Sequence, residues 1–375
     1  MKQGKISTVK VPGQGVSPSA IMIVGEAPGK TEEQEKLPFV GRSGELMNRH
    51  LERHGIIRRP AEGRSDPYVT NVCKYRPYKN DFKNLLGSSE LQEGMAELRE
   101  EIVACDPNVI IAMGGVPTRI LTGKEGIMNY RGSVLPCTMV EGYKVYASLH
   151  PAYIERDFGM VPVFSEDLRR AVQQAQFKEI CYPEYEEIVN PSPDRLWSLV
   201  EEMLEAEWLS VDIETFGPGS MSCFGVTDSA DRGLCITFMN PSGWEAARIL
   251  FESDVPKIMQ YGTYDINFLK RFYGWEVGNF AFDTYIAAAE LMPEFKKGLD
   301  FLTSIYTWFP YYKTERKVWK QEGDMSTLWS YNIKDIIATF MIAMQQMKEL
   351  EKLYGWRYSG TGRSEGKGAE SRNHA

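Results

Sequence analysis

The sequence predicts two α/β domains in tandem, the first a three-layer domain on a mainly parallel sheet. Three observations carry this. Strand-like and helix-like runs alternate through the first 178 residues, as parallel sheets covered on both faces require. After a Pro- and acid-rich stretch near residue 180 the pattern changes to three strand-like runs in succession, followed by helices. Finally, 375 residues with 43% hydrophobic and 12% aromatic content can fill two separate cores.

In the first domain, "AIMIVGEAPG" reads as a strand running into a Gly/Pro turn, and "GELMNRHLERHGI" has the apolar spacing of a helix ending at Gly55. "YVTNV" is a second strand, "ELQEGMAELREEIVACDP" an amphipathic helix, and "NVIIAMGG" a third strand. "VPTRILTG" is a short helix and "YKVYASLHPAY" a fourth strand ending at His150. Functional loops of such sheets lie at the strands' C-terminal ends, which puts Glu26, Asn71, Gly114 and His150 along one rim. The helix "SEDLRRAVQQAQFKE" closes the unit, giving a domain over residues 1–178 and a connection over 179–192.

The second domain, 193–358, starts with the helix "PDRLWSLVEEMLEAE" and continues with "WLSVDIET", "CFGVTD" and "GLCITFM" as an antiparallel meander. Helices dominate from residue 244 to about 355. The Gly-, Ser- and charge-rich tail 359–375 is expected to be disordered.

Composition narrows the function classes. No apolar run approaches the length of a membrane span and no basic start precedes an apolar stretch, so the expected setting is intracellular, in a host cytoplasm if the chain is phage-encoded. Six scattered cysteines without a C-x-x-C pair argue against a zinc site or a disulfide framework, and read as small buried hydrophobes. The net charge of −8 divides into +3 over residues 1–178 and −11 over 179–375. Acidic bulk charge weakens the case for broad nucleic-acid binding, but a local basic groove or a metal reverses the sign at a site.

Asp212 and Glu214 stand two apart in a strand, so they share a face, where like charges repel and desolvation is costly. "QYGTYDINFLKRF" adds Asp265 on a helix, and "YNIKDIIATFMIAM" adds Tyr331 and Asp335 four apart on one helix face. Four converging carboxylates are tolerable if they hold hard divalent cations such as Mg²⁺ or Mn²⁺. This order of residues resembles the DEDD family of 3'-5' exonucleases, in its tyrosine-bearing subgroup of proofreading domains and RNase D relatives. The resemblance implies an RNase H-like fold with a mixed sheet. It also implies two cations about 4 Å apart, held by Asp212, Glu214, Asp265 and Asp335, that clamp a phosphodiester while Tyr331 orients the attacking water. It extends to "FDTYIAAAEL" and "GLDFLTSIYT", with Asp283 at a position that often accompanies the site. One departure is Tyr261, where the family usually has an Asn that holds the substrate end. The basic stretch "YKTERKVWK", with Lys313, Arg316, Lys317 and Lys320, can steer a strand's phosphates and Trp319 can stack a base; an ordinary charged face is the alternative.

In the first half, Gly25-Glu26-Ala27-Pro28-Gly29 makes a tight turn that lets backbone approach a ligand, and Phe39 follows in "PFVG". With "TNVCKYRP", "PNVIIAMGG" and "HPAY", this resembles family 4 of the uracil-DNA glycosylase superfamily. The resemblance implies a pocket for an extruded base, with Ala27, Pro28 and Gly29 at its wall. It implies that Phe39 stacks on uracil, Asn71 reads its edge, and His150 donates to the oxygen that gains negative charge. Glu26 and Glu32 match acidic positions near the attacking water. Family 4 also holds an iron-sulfur cluster on four cysteines; here the N-terminal pair is missing and Tyr75 stands at the K-C-R-P cysteine, so the cluster is expected to be absent, with Tyr75 and Tyr78 bracing the region.

Together the halves resemble the N-terminal part of certain bacteriophage DNA polymerases. The expected protein is a free-standing, phage-encoded DNA-processing enzyme for replication or repair that recognises uracil and trims or proofreads 3' ends, with a separately encoded polymerase as partner and no membrane. Two other readings stand beside it: a catalytically silent glycosylase fold that docks the exonuclease on DNA or a partner, and an RNase D-like RNA nuclease.

Overall fold

A computed structural model describes residues 5–59, 64–65, 67–217, 219–237 and 241–358. The tail expected to be disordered lies outside the described residues. The chain divides into two units, Met1–Cys181 and Tyr182–Ala375.

The first unit is built on strands β1 (Ile21–Gly25), β4 (Tyr68–Asn71), β5 (Val109–Met113), β6 (Val134–Pro136) and β7 (Lys144–Ser148), with a two-stranded hairpin of β2 (Arg58–Arg59) and β3 (Arg64–Ser65) beside them. The sheet order is β4-β1-β5-β7-β6; the first four strands run parallel and β6 pairs antiparallel with β7. All five residues of β1 and all five of β5 are buried, which is why they read as unbroken apolar runs rather than as alternation. Helix Ser89–Cys105 starts where the Ser88 hydroxyl accepts from Leu91 N–H at 3.1 Å. It buries Leu91, Leu98 and Ile102 against Met22, Val24 and Ile110 on one face of the sheet. Helix Val161–Gln173 packs on the side of Tyr146, where Asp167 and Arg131 form a buried ion pair. Strand β6 and the hairpin have three and two residues per strand, too few to register as a period.

In the second unit, β8 (Glu186–Val189), β9 (Leu209–Gly217), β10 (Ser220–Thr227), β11 (Arg232–Thr237), β12 (Lys257–Met259) and β13 (Phe280–Asp283) form a mixed sheet ordered β13-β12-β9-β10-β11-β8. The β9–β10–β11 meander is antiparallel, whereas β8, β12 and β13 join in parallel. Strand β8 corrects the reading of residues 179–192 as connection only. Of its four residues Ile188 alone is buried, so the strand reads as an acidic linker. Strands β12 and β13 lie within the region read as dominated by helices.

Along β9, Leu209, Val211 and Ile213 join a core that also takes Leu199 and Val200 of helix Pro193–Leu204 and Leu250 of helix Pro241–Glu252. The alternate residues turn to the opposite face, which is covered by the 30-residue helix Met325–Tyr354. There the Ser210 hydroxyl donates to Ile336 O at 2.8 Å. Among the described residues no helix is long and apolar enough to cross a membrane.

Candidate functional sites

The pleat of β9 sends Asp212 and Glu214 towards the long helix, and four-residue spacing on that helix brings Tyr331 and Asp335 to the same place. Carboxylate oxygens of Asp212, Glu214 and Asp335 all lie within 4.8 Å of one another. Asp265, the fourth acid expected, is not one of these three but lies beside them, where its charge acts on Asp212. It sits in the first turn of helix Thr263–Tyr273, and its Oδ1 accepts from Ile213 N–H at 3.3 Å, between the two strand acids. That hydrogen bond ties the helix to β9 beside the triad.

Burial and mutual repulsion act on these acids in one direction. Burial, then the Asp265, Glu214 and Asp335 charges, raise Asp212 well above the ordinary carboxylate range. Burial pushes Glu214 up to about 7 against the pull of Arg316. Asp265 is likewise pushed up to about 7, against its backbone hydrogen bonds. A cluster so reluctant to carry its charge is what a divalent cation relieves, and an all-oxygen donor set fits Mg²⁺ or Mn²⁺.

Several partners of the triad were not visible as such in the sequence. Asn332 Nδ2 donates to Asp212 Oδ2 at 2.9 Å. The contact depends on Gly225, because a Cβ there would collide with Asn332 Oδ1. Tyr312 Oη donates to Asp335 Oδ1 at 2.7 Å. Of the basic stretch, Lys313 and Arg316 reach the acids: Lys313 Nζ lies 2.6 Å from Asp335 Oδ1 and Arg316 Nη2 lies 3.2 Å from Glu214 Oε2. Lys320 is exposed on helix Glu315–Glu322, which also carries Lys317, whose side chain lies outside the described residues. Trp319 packs against Phe216, ring centroids 5.9 Å apart. Tyr261 is exposed, with φ +56° and its N–H donated to Asp283 Oδ1 at 3.1 Å. Asp283 also accepts from Gly262 N–H and caps helix Thr284–Leu291, so it shapes the turn that introduces Asp265.

In the first unit the C-terminal ends of β1, β4 and β7 open onto a cavity of about 460 Å³ lined by Glu26, Ala27, Pro28, Gly29, Glu32, Phe39, Asn71 and His150, with Ser43, Asn80 and Arg156 among the others. Phe39 is buried at φ +52°, its ring centroid 6.1 Å from that of His150. Its backbone is pinned by Arg58, a buried residue whose Nη1 donates to Phe39 O at 2.9 Å and whose Nη2 donates to Pro38 O. Burial lowers that guanidinium to about 10. The His150 Nδ1 accepts from Ala152 N–H at 3.1 Å, and enclosure in the pocket lowers the imidazole to about 4, so at neutral pH the ring is uncharged with its proton on Nε2. Glu32 Oε1 accepts from Gly41 N–H at 3.0 Å, which makes it a brace of the Phe39 loop. Burial, then Asp81, raise the carboxyl of Glu26. Gly114 sits behind His150 and is not part of the lining.

Gly25 holds the pocket open. A Cβ on it would lie 2.5 Å from Phe39 Cζ and closer still to Asn71 Oδ1. Gly25→Ala is expected to displace both side chains at a cost of roughly 1–3 kcal/mol, read by urea unfolding against the wild type.

The cysteines do not fit an iron-sulfur cluster. Five are buried and Cys181 is exposed. Cys73 and Cys105 donate their thiols to Glu90 O (3.6 Å) and Ser19 O (3.7 Å), and burial pushes both up to about 11. Tyr75, at the motif's cysteine position, donates to Glu93 at 3.0 Å, and Lys10, in a β-bridge with Tyr75, pairs with Glu93 and Glu97 at 3.0 and 2.8 Å. Tyr78, expected to share this bracing, is exposed.

One unit carries a cavity at the rim of a parallel sheet and the other an acidic cluster on a mixed sheet. The chain belongs to the uracil DNA glycosylase superfamily through its first half, whose family model matches residues 12–176, and carries a 3'-5' exonuclease domain matched over residues 192–351. It is 33% identical over 178 residues to the type-4 uracil-DNA glycosylase of Saccharolobus solfataricus, spanning 45% of this chain and 78% of that protein. A DNA polymerase of Bacillus phage SP01 is 31% identical over 156 residues, 42% of this chain and 16% of that polymerase. Among solved structures, Escherichia coli RNase D matches at TM-score 0.37 and 19% identity, over 46% of this chain and 47% of that one.

Proposed function

We propose that the protein joins two activities on DNA: metal-dependent removal of nucleotides from 3' ends, and excision of uracil. The observation that carries the first is the convergence of Asp212, Glu214 and Asp335, whose carboxylate oxygens lie within 4.8 Å of one another, with burial raising the carboxyls of Asp212 and Glu214. Those three residues would hold the cation. A bound Mg²⁺ or Mn²⁺ polarises the phosphoryl group and makes water a nucleophile at neutral pH. The chain's own groups do the rest. Asn332 fixes Asp212 in orientation, and Asp265 holds β9 against its helix. Burial, then Asp335, keep Tyr331 a phenol, a donor and acceptor suited to orienting the attacking water. Phe216 and Trp319 offer aromatic faces to the bases of a single strand.

For excision, Phe39 provides the stacking face, Asn71 pairs with the pyrimidine edge, and the uncharged His150 donates from Nε2 to the oxygen that gains charge as the glycosidic bond breaks. With Glu32 engaged by the loop, Glu26 is the pocket carboxylate that remains to activate water. The reading assigns the chain to replication or repair of uracil-containing DNA, in a phage setting.

Two incubations test it. Uracil-containing single-stranded oligonucleotide with EDTA, then hot alkali, is expected to give cleavage at uracil positions; intact strands would leave the first unit a binding module. DNA labelled at its 5' end, given Mg²⁺ or Mn²⁺, is expected to shorten stepwise, and faster degradation of RNA would turn the assignment to an RNA nuclease.

A further inference from the structure

Asp335, one of the three converging acids, already has a cation of the chain's own beside it. Lys313 Nζ donates to Asp335 Oδ1 at 2.6 Å, to Asp335 Oδ2 at 2.7 Å and to Tyr331 Oη at 2.8 Å, which uses all three ammonium protons. The nitrogen also lies 5.0 Å from the Tyr312 ring centroid and 4.7 Å from that of Tyr331. The lysine side chain is only 18% exposed, so this is a held charge rather than a surface lysine at rest on an acid. Tyr312 fastens the arrangement from the other side by donating to Asp335 Oδ1.

We propose that the Lys313 ammonium takes the place of one of the two divalent ions, so that the exonuclease site binds a single metal ion, held chiefly by Asp212 and Glu214. The proposal rests on the exonuclease reading and narrows it. Charge balance is consistent with it: Lys313 and Arg316 offset two of the four carboxylates Asp212, Glu214, Asp265 and Asp335, and one divalent ion offsets the others. A lysine is suited to the role because its ammonium is a compact point charge with three donors, able to meet a phosphate oxygen once a substrate draws one bond away from Tyr331.

The test counts ions rather than products. Crystals of the full chain and of Lys313→Met are soaked in Mn²⁺ and the anomalous peaks among Asp212, Glu214 and Asp335 are counted. Isothermal titration with Mn²⁺ serves as the solution readout, and thermal melts check that the variant is folded. One peak in the wild type and two in Lys313→Met are expected. Two peaks in the wild type overturn the assignment of Lys313 and leave the exonuclease reading intact, as does an equal, non-zero count in the two proteins. No peak in either overturns both. If Lys313→Met does not fold, Lys313→Gln takes its place in the comparison.

Discussion

Asp212→Asn is expected to slow metal-dependent 3' trimming by about a thousandfold while raising the melting temperature of the metal-free protein. The two effects share one cause. Asp212 is enclosed beside Glu214, Asp335 and Asp265, so its charge is costly without a cation and most useful with one. Loss of one anionic ligand weakens a site whose metal supplies several kcal/mol of transition-state stabilisation, and each ~1.4 kcal/mol is a factor of ten in rate. Asparagine keeps the shape and an oxygen to accept from Asn332, so the variant removes charge with little repacking. In the absence of metal, the same change removes one member of a like-charged group and stabilises the fold. Trimming of 5'-labelled DNA and thermal melts in EDTA read the two arms. Unchanged trimming with a folded variant would sink the metal site; slower trimming with a lower melting temperature would mean only that the substitution damages the second unit.

That opposition between folding and function explains which parts of the sites could be read from the chain. Asp212 and Glu214 were legible because a strand's period of two puts them on one face, and Tyr331 and Asp335 because a helix puts residues four apart side by side. The Gly25–Gly29 turn was legible for a similar local reason. What escaped depends on contacts between distant segments. Asn332 meets Asp212 across 120 positions, through the gap left by Gly225. Arg58 holds the Phe39 loop from a two-residue strand with no period to detect. Lys313 and Arg316 looked like solvated charge because a sequence shows a side chain's charge but not the direction it takes; the acids they neutralise lie on other elements. Asp265 shows the same limit. Its place in the order of acids was clear, but the hydrogen bond it accepts from Ile213 N–H belongs to the tertiary fold. Strands β8, β12 and β13, of three or four residues each, are defined by their neighbours in the sheet rather than by their own pattern.

For the first unit, His150→Gln is expected to lower uracil excision by about a hundred- to a thousandfold, the usual loss when one donor to a developing oxyanion is removed. The pH dependence identifies how the residue acts. An ordinary histidine, at 6.5, would gain its charge between pH 8 and 5, whereas His150 is held to about 4 and stays neutral across that range. The excision rate of the wild type is therefore expected to show no step near pH 6.5 that is absent from His150→Gln; such a step would mean a protonated imidazole takes part. Stability supplies an independent reading. Because the folded-state value lies below the unfolded one, the unfolded chain binds more protons between roughly pH 4 and 6.5. Stability is then intact above pH 6.5 and falls as pH drops towards 4, by at most roughly 3 kcal/mol from this residue. His50, also lowered by burial, acts in the same direction, so the measurement is the difference between wild type and His150→Gln in urea unfolding at pH 7 and pH 4.5. A smaller loss of stability on acidification in the variant would show that the pocket keeps its imidazole neutral at a cost to folding, as expected of a site that needs a donor without a charge.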